Sequence, residues 1–146
     1  MSKKHLNKRI INRKDCDNQP KQNKYINKNV ASLYFGEKAY IFLSLAYIQH
    51  QWERFSDWEA KEMKQFWEFN STIHQLTWDK AYSHSGLRYK KINENKYPAG
   101  GIKENLSPDV SLFEFRITDK ARVHGFRINN IFFLCWLDRN HRICSI

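Results

Sequence analysis

The chain has 146 residues and a formal net charge of +10, with 25 Lys and Arg against 15 Asp and Glu. This length favours one domain, and an aromatic content of 15% supplies apolar surface for a core. The longest mostly apolar run, residues 39–48, is about half of the roughly 20 residues that a membrane-spanning helix needs. Three cysteines are too few for a disulfide scaffold. We therefore expect a basic, cytoplasmic, globular protein that has no membrane segment.

Most of the excess charge lies in residues 1–29, which hold nine Lys and Arg and two Asp, a net +7. Residues 30–146 keep 16 basic and 13 acidic residues, a net +3. Because the first segment is rich in Lys, Asn and Gln, it predicts a flexible tail ahead of a single domain over residues 30–146. The tail suits either an arm that binds a polyanion or a solvated segment with no partner.

The first half of the domain predicts one strand and two helices. Residues 39–47 are rich in aromatic and branched side chains and predict a strand. Ser56 and Glu59 have the spacing of a capping box, which predicts that a helix begins there. Apolar residues then recur at helical spacing: Met63, Phe66, Phe69, Ile73 and Leu76. Thr77 predicts the N-cap of a second helix over residues 78–83.

The second half changes to loop and strand patterns. Residues 84–109 contain Pro, Gly and Asn and predict a loop region with a short strand within residues 87–92. Residues 110–117 and 121–128 alternate between polar and apolar side chains, and residues 131–137 are almost continuously apolar. These patterns predict an α+β domain, with the helices packed on one face of a small antiparallel sheet.

Cationic side chains gather on the sheet face that the helices are expected to leave open. The alternation places Arg116, Arg122 and His124 on that face, and His141 follows the last strand. Arg is suited to bidentate phosphate contacts, and His exchanges a proton near neutral pH. RNA cleavage needs a base for the 2′-hydroxyl, cations for the phosphorane and an acid for the leaving oxygen. These residues fit such a set, and they equally fit a solvated basic sheet that catalyses nothing.

The sequence LFEFRITDKARVHGFRINNIFFLCWLDRNHRI, residues 112–143, resembles the C-terminal hairpin half of RelE/ParE-superfamily toxins. The resemblance extends over about residues 39–144. It implies a RelE-like fold and a cytoplasmic mRNA endonuclease that is restrained by a cognate antitoxin. Whether cleavage requires the ribosome is left open by the resemblance. No cofactor or metal is implied.

Carried over one residue at a time, the resemblance implies that Arg116 is the basic residue of the second sheet strand. Arg122 matches the Arg that contacts the scissile phosphate, and His141 falls near the catalytic His. Glu114 occupies a strand position that is often basic in the family. We expect RNA contacts from further cationic and aromatic side chains: Lys90, Lys91, Lys120, His124, Arg127, Trp136, Arg139 and Arg142.

Two other functions stay open at this point. One is a non-catalytic nucleic-acid or protein-binding module on the same fold, which the absence of the family's C-terminal Tyr favours. The other is a gyrase-poisoning relative, which typically lacks the catalytic His. The presence of His141 favours the nuclease. The spacing of Cys135, His141 and Cys144 suggests a metal only weakly, because a Cys in a buried strand usually behaves as a small apolar residue.

Overall fold

The structure is a computed structural model that describes residues 38–144, so the predicted tail over residues 1–29 lies outside the described residues. Within that range the secondary structure consists of five strands, two helices and three short 3-10 turns. The strands are β1 (Phe42–Ser44), β2 (Lys90–Lys91), β3 (Leu112–Arg116), β4 (Arg122–Ile128) and β5 (Ile131–Asp138). The helices are α1 (Ala60–Ile73) and α2 (Trp78–Ser83), and the 3-10 turns are Phe55–Asp57, Glu94–Lys96 and Gly101–Asn105. The predicted α+β class is confirmed.

The strands form one mixed sheet in the order β1-β5-β4-β3-β2. Strands β2 to β5 pair antiparallel, as the period-two pattern predicts, and Asn129 in the β4–β5 turn has a positive φ of 53°. Strand β1 joins β5 in parallel. It is shorter than the predicted 39–47, because it pairs only with the first residues of β5, from Ile131 to Phe133.

The predicted start of the first helix is wrong by one turn. Ser56 lies inside a 3-10 turn, in which the Asp57 carboxylate accepts a hydrogen bond from the backbone N–H of Arg54 at 2.9 Å. Helix α1 instead begins at Ala60 with Glu59 as its N-cap. The Glu62 carboxylate accepts the backbone N–H of Glu59 at 2.9 Å, which satisfies a donor that the helix itself leaves free.

The helices cover one face of the sheet with the apolar stripe that the sequence predicts. Phe66, Phe69 and Ile73 of α1 are buried, and the ring of Phe69 lies 5.9 Å from that of Phe115 on β3. Trp78 of α2 meets the same Phe115 ring at 6.2 Å. Alternate residues of β3 therefore form the main core together with the helices.

The opposite sheet face is also covered, which contradicts the expectation of an open basic surface. Residues 92–110, which we name the covering segment, bury Ile92 and Tyr97 against this face. Residues 139–144, named the C-terminal turn, bury Ile143 there. The covering segment was correctly predicted to lack regular strands or long helices. Its apolar side chains nevertheless form a second core with Leu112, Phe126 and Trp136.

A β-bulge lies at the centre of the sheet. His124 pairs with Trp136, but the next residue, Gly125, pairs with Leu134, so Cys135 is the extra residue. The bulge places both Cys135 and Trp136 in the second core. Gly125 lies so close to β5 that a Cβ atom there would overlap the carbonyl oxygen of Phe133. Only glycine fits this position without a backbone shift.

We expect Gly125→Ala to lower the free energy of unfolding by about 3 kcal/mol or more, because the added methyl group meets backbone rather than a movable side chain. Urea denaturation followed by circular dichroism measures the change. Gly86→Ala is the matched control, since its Cβ would meet only the imidazole of His84. Equal losses in the two variants would contradict the close approach of β4 and β5.

Helix α1 has 14 residues and α2 has six, and within residues 38–144 no helix is long and apolar enough to cross a bilayer. The main helix is instead amphipathic, with charged residues on the face turned away from the sheet.

Candidate active site

A cluster of ionisable side chains lies beneath the covering segment and the C-terminal turn. Its members come from adjacent strands and the residues that follow them: Glu114, Arg122, His124, Asp138 and His141. The register explains the grouping, because Glu114 pairs with His124 and Arg122 pairs with Asp138. Cross-strand partners share a sheet face, so these side chains meet on the face opposite the helices.

Asp138 is fully buried and holds the C-terminal turn against the sheet. Its Oδ1 atom accepts the backbone N–H of Arg142 at 2.8 Å. Its Oδ2 atom accepts the backbone N–H of Ile143 at 2.9 Å and lies 3.3 Å from His124 Nε2. Burial opposes ionisation of Asp138, but these hydrogen bonds outweigh it and lower its pKa. The carboxylate therefore stays charged and fixes the position of His141, which directly precedes the bound N–H groups.

His124 is fully buried, and both of its ring nitrogens have partners. Nε2–H donates to Asp138, and the Tyr97 hydroxyl donates to Nδ1 at 3.1 Å. Burial lowers the pKa of His124, although the Asp138 carboxylate acts in the opposite direction. Burial also raises the pKa of Tyr97, which keeps its hydroxyl protonated as a donor. His124 is thus a neutral link between strand and covering segment.

Glu114 and His141 face each other at the edge of the cluster. Glu114 Oε2 lies 3.5 Å from His141 Nε2 and 3.8 Å from His124 Nε2, and within residues 38–144 neither Glu114 Oε2 nor His141 Nε2 makes a hydrogen bond. Burial raises the pKa of Glu114, while the nearby His141 and Arg122 lower it in part. A buried carboxylate with a raised pKa beside an imidazole has the composition of an acid–base pair.

The His141 side chain is 15% exposed and the Glu114 side chain 5% exposed, but the two facing atoms, Glu114 Oε2 and His141 Nε2, are themselves buried. His141 is therefore the member of the pair that lies nearer to solvent. The backbone of His141 has a positive φ of 53°, a conformation that few residues adopt. The two hydrogen bonds from the following residues to Asp138 hold the chain in this conformation. Uncommon backbone conformations held in this way are frequent at functional sites.

Cations border the acid–base pair on the sheet side. Arg122 lies with Nε 3.8 Å from Glu114 Oε1, and its Nη1 atom donates to the backbone oxygen of Thr118 at 2.9 Å. Arg116 is 25% exposed and forms an ion pair with Asp119. Lys90 is exposed, pairs with Glu114 in the sheet register, and its charge lowers the pKa of Glu114. Of the three predicted cations, Arg122 and Lys90 therefore lie close to Glu114, whereas Arg116 is paired with Asp119.

Other side chains predicted to contact RNA lie on different surfaces or in the core. The predicted single basic face is therefore not one continuous surface. His124 and Trp136 are 0% and 1% exposed, and Trp136 stacks on Tyr97 at 4.6 Å, which places both beneath the covering segment instead of on an open surface. Lys91 pairs with Phe113 and therefore belongs to the helix-covered face. Arg127 lies on that face too, 4.9 Å from the ring centroid of Trp78.

The remaining cations are also separated. Arg139 forms an ion pair with Glu62 of α1 at 2.7 Å and donates to the backbone oxygen of Asp57 at 2.6 Å. Arg142 lies over the ring of Trp52 at 4.3 Å. Lys120 is exposed in the turn between β3 and β4. Arg142 directly follows His141 in the chain, but its guanidinium lies against Trp52 and not against Glu114.

Sequence reasoning missed three functional candidates: Glu114, Asp138 and Tyr97. Glu114 and Asp138 are acidic residues that lie among basic residues in or next to the predicted strands. This unusual setting is the one sequence feature that could have identified them as functional candidates. Tyr97 lies in the covering segment, where no periodic pattern marks a buried residue. Its hydroxyl reaches His124 only through the tertiary fold.

The spacing of Cys135, His141 and Cys144, which suggested a metal site only weakly, is not accompanied by a metal-binding arrangement of side chains in the part of the chain that the structure describes. Burial in β5 raises the pKa of Cys135 to about 12, so its thiol is neutral. Across residues 38–144 no group of three or more His, Cys, Asp and Glu side chains is arranged to hold a metal ion.

No protein-family model, curated protein or solved structure matches this chain. The functional argument therefore rests on the residues and the geometry of the cluster.

The low pKa of His124 predicts that the protein loses stability in mild acid. As the pH falls below about 6.5, the unfolded chain binds a proton at this imidazole before the folded protein does, so the free energy of unfolding decreases. The raised pKa of Glu114 acts with the opposite sign, so wild type must be compared with His124→Gln. Denaturant unfolding between pH 7.5 and 5 should show a smaller loss of stability in the variant. Parallel pH profiles would contradict the neutral, buried state of His124.

Proposed function

We propose that this protein is an endoribonuclease of the RelE-like kind, which cleaves mRNA by attack of a 2′-hydroxyl on the adjacent phosphate. The observation that carries the proposal is the pair formed by Glu114 Oε2 and His141 Nε2, which are buried, lie 3.5 Å apart and make no hydrogen bond in residues 38–144. Arg122 and Lys90 next to this pair supply positive charge for a phosphate. Acid, base and cations are the groups that this reaction requires.

The chemistry assigns a separate role to each member of the pair. The Glu114 carboxylate takes the proton of the 2′-hydroxyl while that oxygen forms a bond to phosphorus. The protonated imidazole of His141 gives its proton to the 5′-oxygen as the P–O5′ bond breaks. The products are a 2′,3′-cyclic phosphate and a 5′-hydroxyl end, so atoms and charge balance without another reactant. The raised pKa of Glu114 makes it a stronger base than an exposed carboxylate.

The cations stabilise charge that develops on the phosphate. The guanidinium of Arg122 is held by the backbone oxygens of Thr118 at 2.9 Å and Ala121 at 3.0 Å, so it is fixed before substrate binds. A fixed cation costs little reorganisation in the transition state. Lys90 is exposed, and its ammonium group donates to Cys144 Sγ at 4.0 Å, a weak contact that a substrate phosphate would replace. The net charge, which is +10 when summed over the whole chain, favours binding of a polyanionic substrate.

The resemblance of residues 112–143 to RelE/ParE-superfamily toxins supports the further proposal that the protein is the toxin of a toxin–antitoxin pair. Its partners would be mRNA, the ribosome if cleavage requires it, and an antitoxin that blocks access to His141. Lys90 is exposed and the His141 side chain is 15% exposed, so both residues offer surface that such a protein would contact.

The test is single-turnover cleavage of a labelled RNA, with and without ribosomes. We expect His141→Gln and Glu114→Gln each to slow cleavage by about 10²–10⁴-fold, the range for loss of one general acid or base. Binding of RNA should change only a few-fold, because Arg116, Arg122 and Lys90 remain. Glu68→Gln, on the exposed side of α1, is the matched control and should cleave like wild type.

A substrate with 2′-deoxyribose at the cleaved position should resist cleavage completely, because it lacks the attacking hydroxyl. In cells, induced expression of wild type should arrest growth, and Glu114→Gln should relieve the arrest. Cleavage of the deoxy substrate, or full activity of both site variants, would contradict the proposed mechanism. RNA binding without cleavage by wild type would favour the binding module.

A further inference from the structure

A cavity of about 360 Å³ lies between the covering segment and the chain that follows β1, and its size falls within the range of small-molecule sites. Its lining comes from the chain after β1, the covering segment and β5: Gln49, Gln51, Trp52, Pro98, Ala99, Gly100, Gly101 and Trp136. Two of these are tryptophans, and Gln51 is exposed at the rim. The cavity thus combines aromatic walls with a polar edge.

The wall of the cavity is held in place by Gln49. Its backbone N–H donates to the carbonyl of Cys135 at 2.7 Å, and its side-chain oxygen accepts the N–H of Ile102 at 3.2 Å. Gly100 and Gly101 both have positive φ values, of 85° and 59°. A Cβ atom on Gly101 would collide with the Gln49 amide, so glycine lets the covering segment approach closely here. The cavity is therefore preformed, which lowers the entropic cost of binding.

Trp52 gives the cavity a specific chemistry. The guanidinium of Arg142 lies 4.3 Å from the centroid of the Trp52 ring, a cation–π contact. The Trp52 Nε1 atom is buried, and among the described residues it has no hydrogen-bond acceptor. A buried N–H group without an acceptor is costly, so a ligand that offers one is favoured. An aromatic ring, a nearby cation and a free N–H donor together match a planar ligand with acceptor atoms.

The cavity is connected to the candidate active site by two short routes. Arg142 follows His141 directly in the chain. Trp136, in the cavity wall, stacks on Tyr97 at 4.6 Å, and Tyr97 donates to His124 within the cluster.

We infer that the cavity binds one nucleobase of the RNA, with the base against Trp52 and a base acceptor atom on Trp52 Nε1. This inference rests on the proposed function and adds a subsite that selects or orients the cleaved nucleotide. Single-stranded RNA is commonly recognised by stacking of unpaired bases on aromatic side chains. Arg142 does not line the cavity, but its guanidinium lies against the Trp52 ring and holds that ring in place.

The test uses the full chain labelled with ¹⁵N and titrated with each of the four nucleoside 5′-monophosphates, with ribose 5-phosphate as the ligand that lacks a base. The indole N–H signal of Trp52 is assigned by its absence from the spectrum of Trp52→Phe. We expect at least one nucleotide to shift this signal, and ribose 5-phosphate to leave it unchanged. No shift with any nucleotide, or an equal shift with ribose 5-phosphate, would overturn the inference.

Variants give a second readout by calorimetric titration. Trp52→Ala should weaken nucleotide binding by about tenfold or more, the usual loss for one stacking partner. Trp52→Phe keeps a ring and should lose less, which keeps the test informative if Trp52→Ala fails to fold. Trp67→Ala is the matched control, because Trp67 is 68% exposed on α1. Unchanged affinity in both Trp52 variants would also overturn the inference.

These measurements do not depend on cleavage, so the two proposals fail separately. Nucleotide binding at Trp52 by a protein that does not cleave RNA would keep the subsite and reject the nuclease. Cleavage that depends on Glu114 and His141, without nucleotide binding at Trp52, would keep the nuclease and reject the subsite. If both hold, Trp52→Ala should raise KM or alter the preferred base, while the two acid–base residues remain in place.

Discussion

The buried Asp138 carboxylate is the constraint on which the arrangement of the site depends. One side chain at the end of β5 accepts two backbone N–H groups of the C-terminal turn and the imidazole N–H of His124. A buried carboxylate must have such partners, because its desolvation is otherwise prohibitive. In meeting this need, the chain turns back at His141 with a positive φ and places the imidazole beside Glu114. The position of the proposed acid is thus a consequence of satisfying Asp138.

Burial has opposite effects on the ionisable groups of the cluster, and these effects separate their roles. Asp138 has enough hydrogen bonds to stay ionised, and His124 stays neutral because burial lowers its pKa, although its hydrogen bond to Asp138 opposes this effect. Glu114 has no such hydrogen bonds in residues 38–144, and burial raises its pKa. Asp138 and His124 have hydrogen-bond partners for their polar atoms and therefore stabilise the fold. Glu114 keeps an oxygen without a hydrogen bond among the described residues, and this oxygen is available for proton transfer. Removing Asp138 would therefore disturb the proposed catalysis by changing the position of His141.

The strands and the helical stripe could be predicted from the sequence because they obey regular periods. The alternation through Glu114 and Arg122 predicted the correct sheet face for both residues. Two features could not be obtained in this way. The covering segment has apolar anchors such as Tyr97 without any period, and its burial depends on the second core of the sheet. The meeting of Glu114 with His141 depends on the turn that Asp138 holds, and no local pattern encodes that contact.

The family resemblance also determined which residues were predicted to form the site. It drew attention to Arg122 and His141, which the structure brings close to Glu114. It also presented Glu114 as a departure from a basic pattern, whereas the geometry makes this carboxylate the partner of His141. Conversely, Arg127 and Arg139 follow the basic pattern, but their side chains point to the helices. Charge in the sequence was a weaker guide than the register of the strands.

The most direct measurement is a double-mutant cycle with Glu114→Gln, His141→Gln and the combined variant in single-turnover RNA cleavage. Two groups that transfer protons in the same step act as a unit, so their losses are not additive. We expect the combined variant to cleave no more than a few-fold more slowly than the slower single variant. Losses that multiply, or a combined variant as active as wild type, would contradict the account of Glu114 and His141 as one acid–base pair.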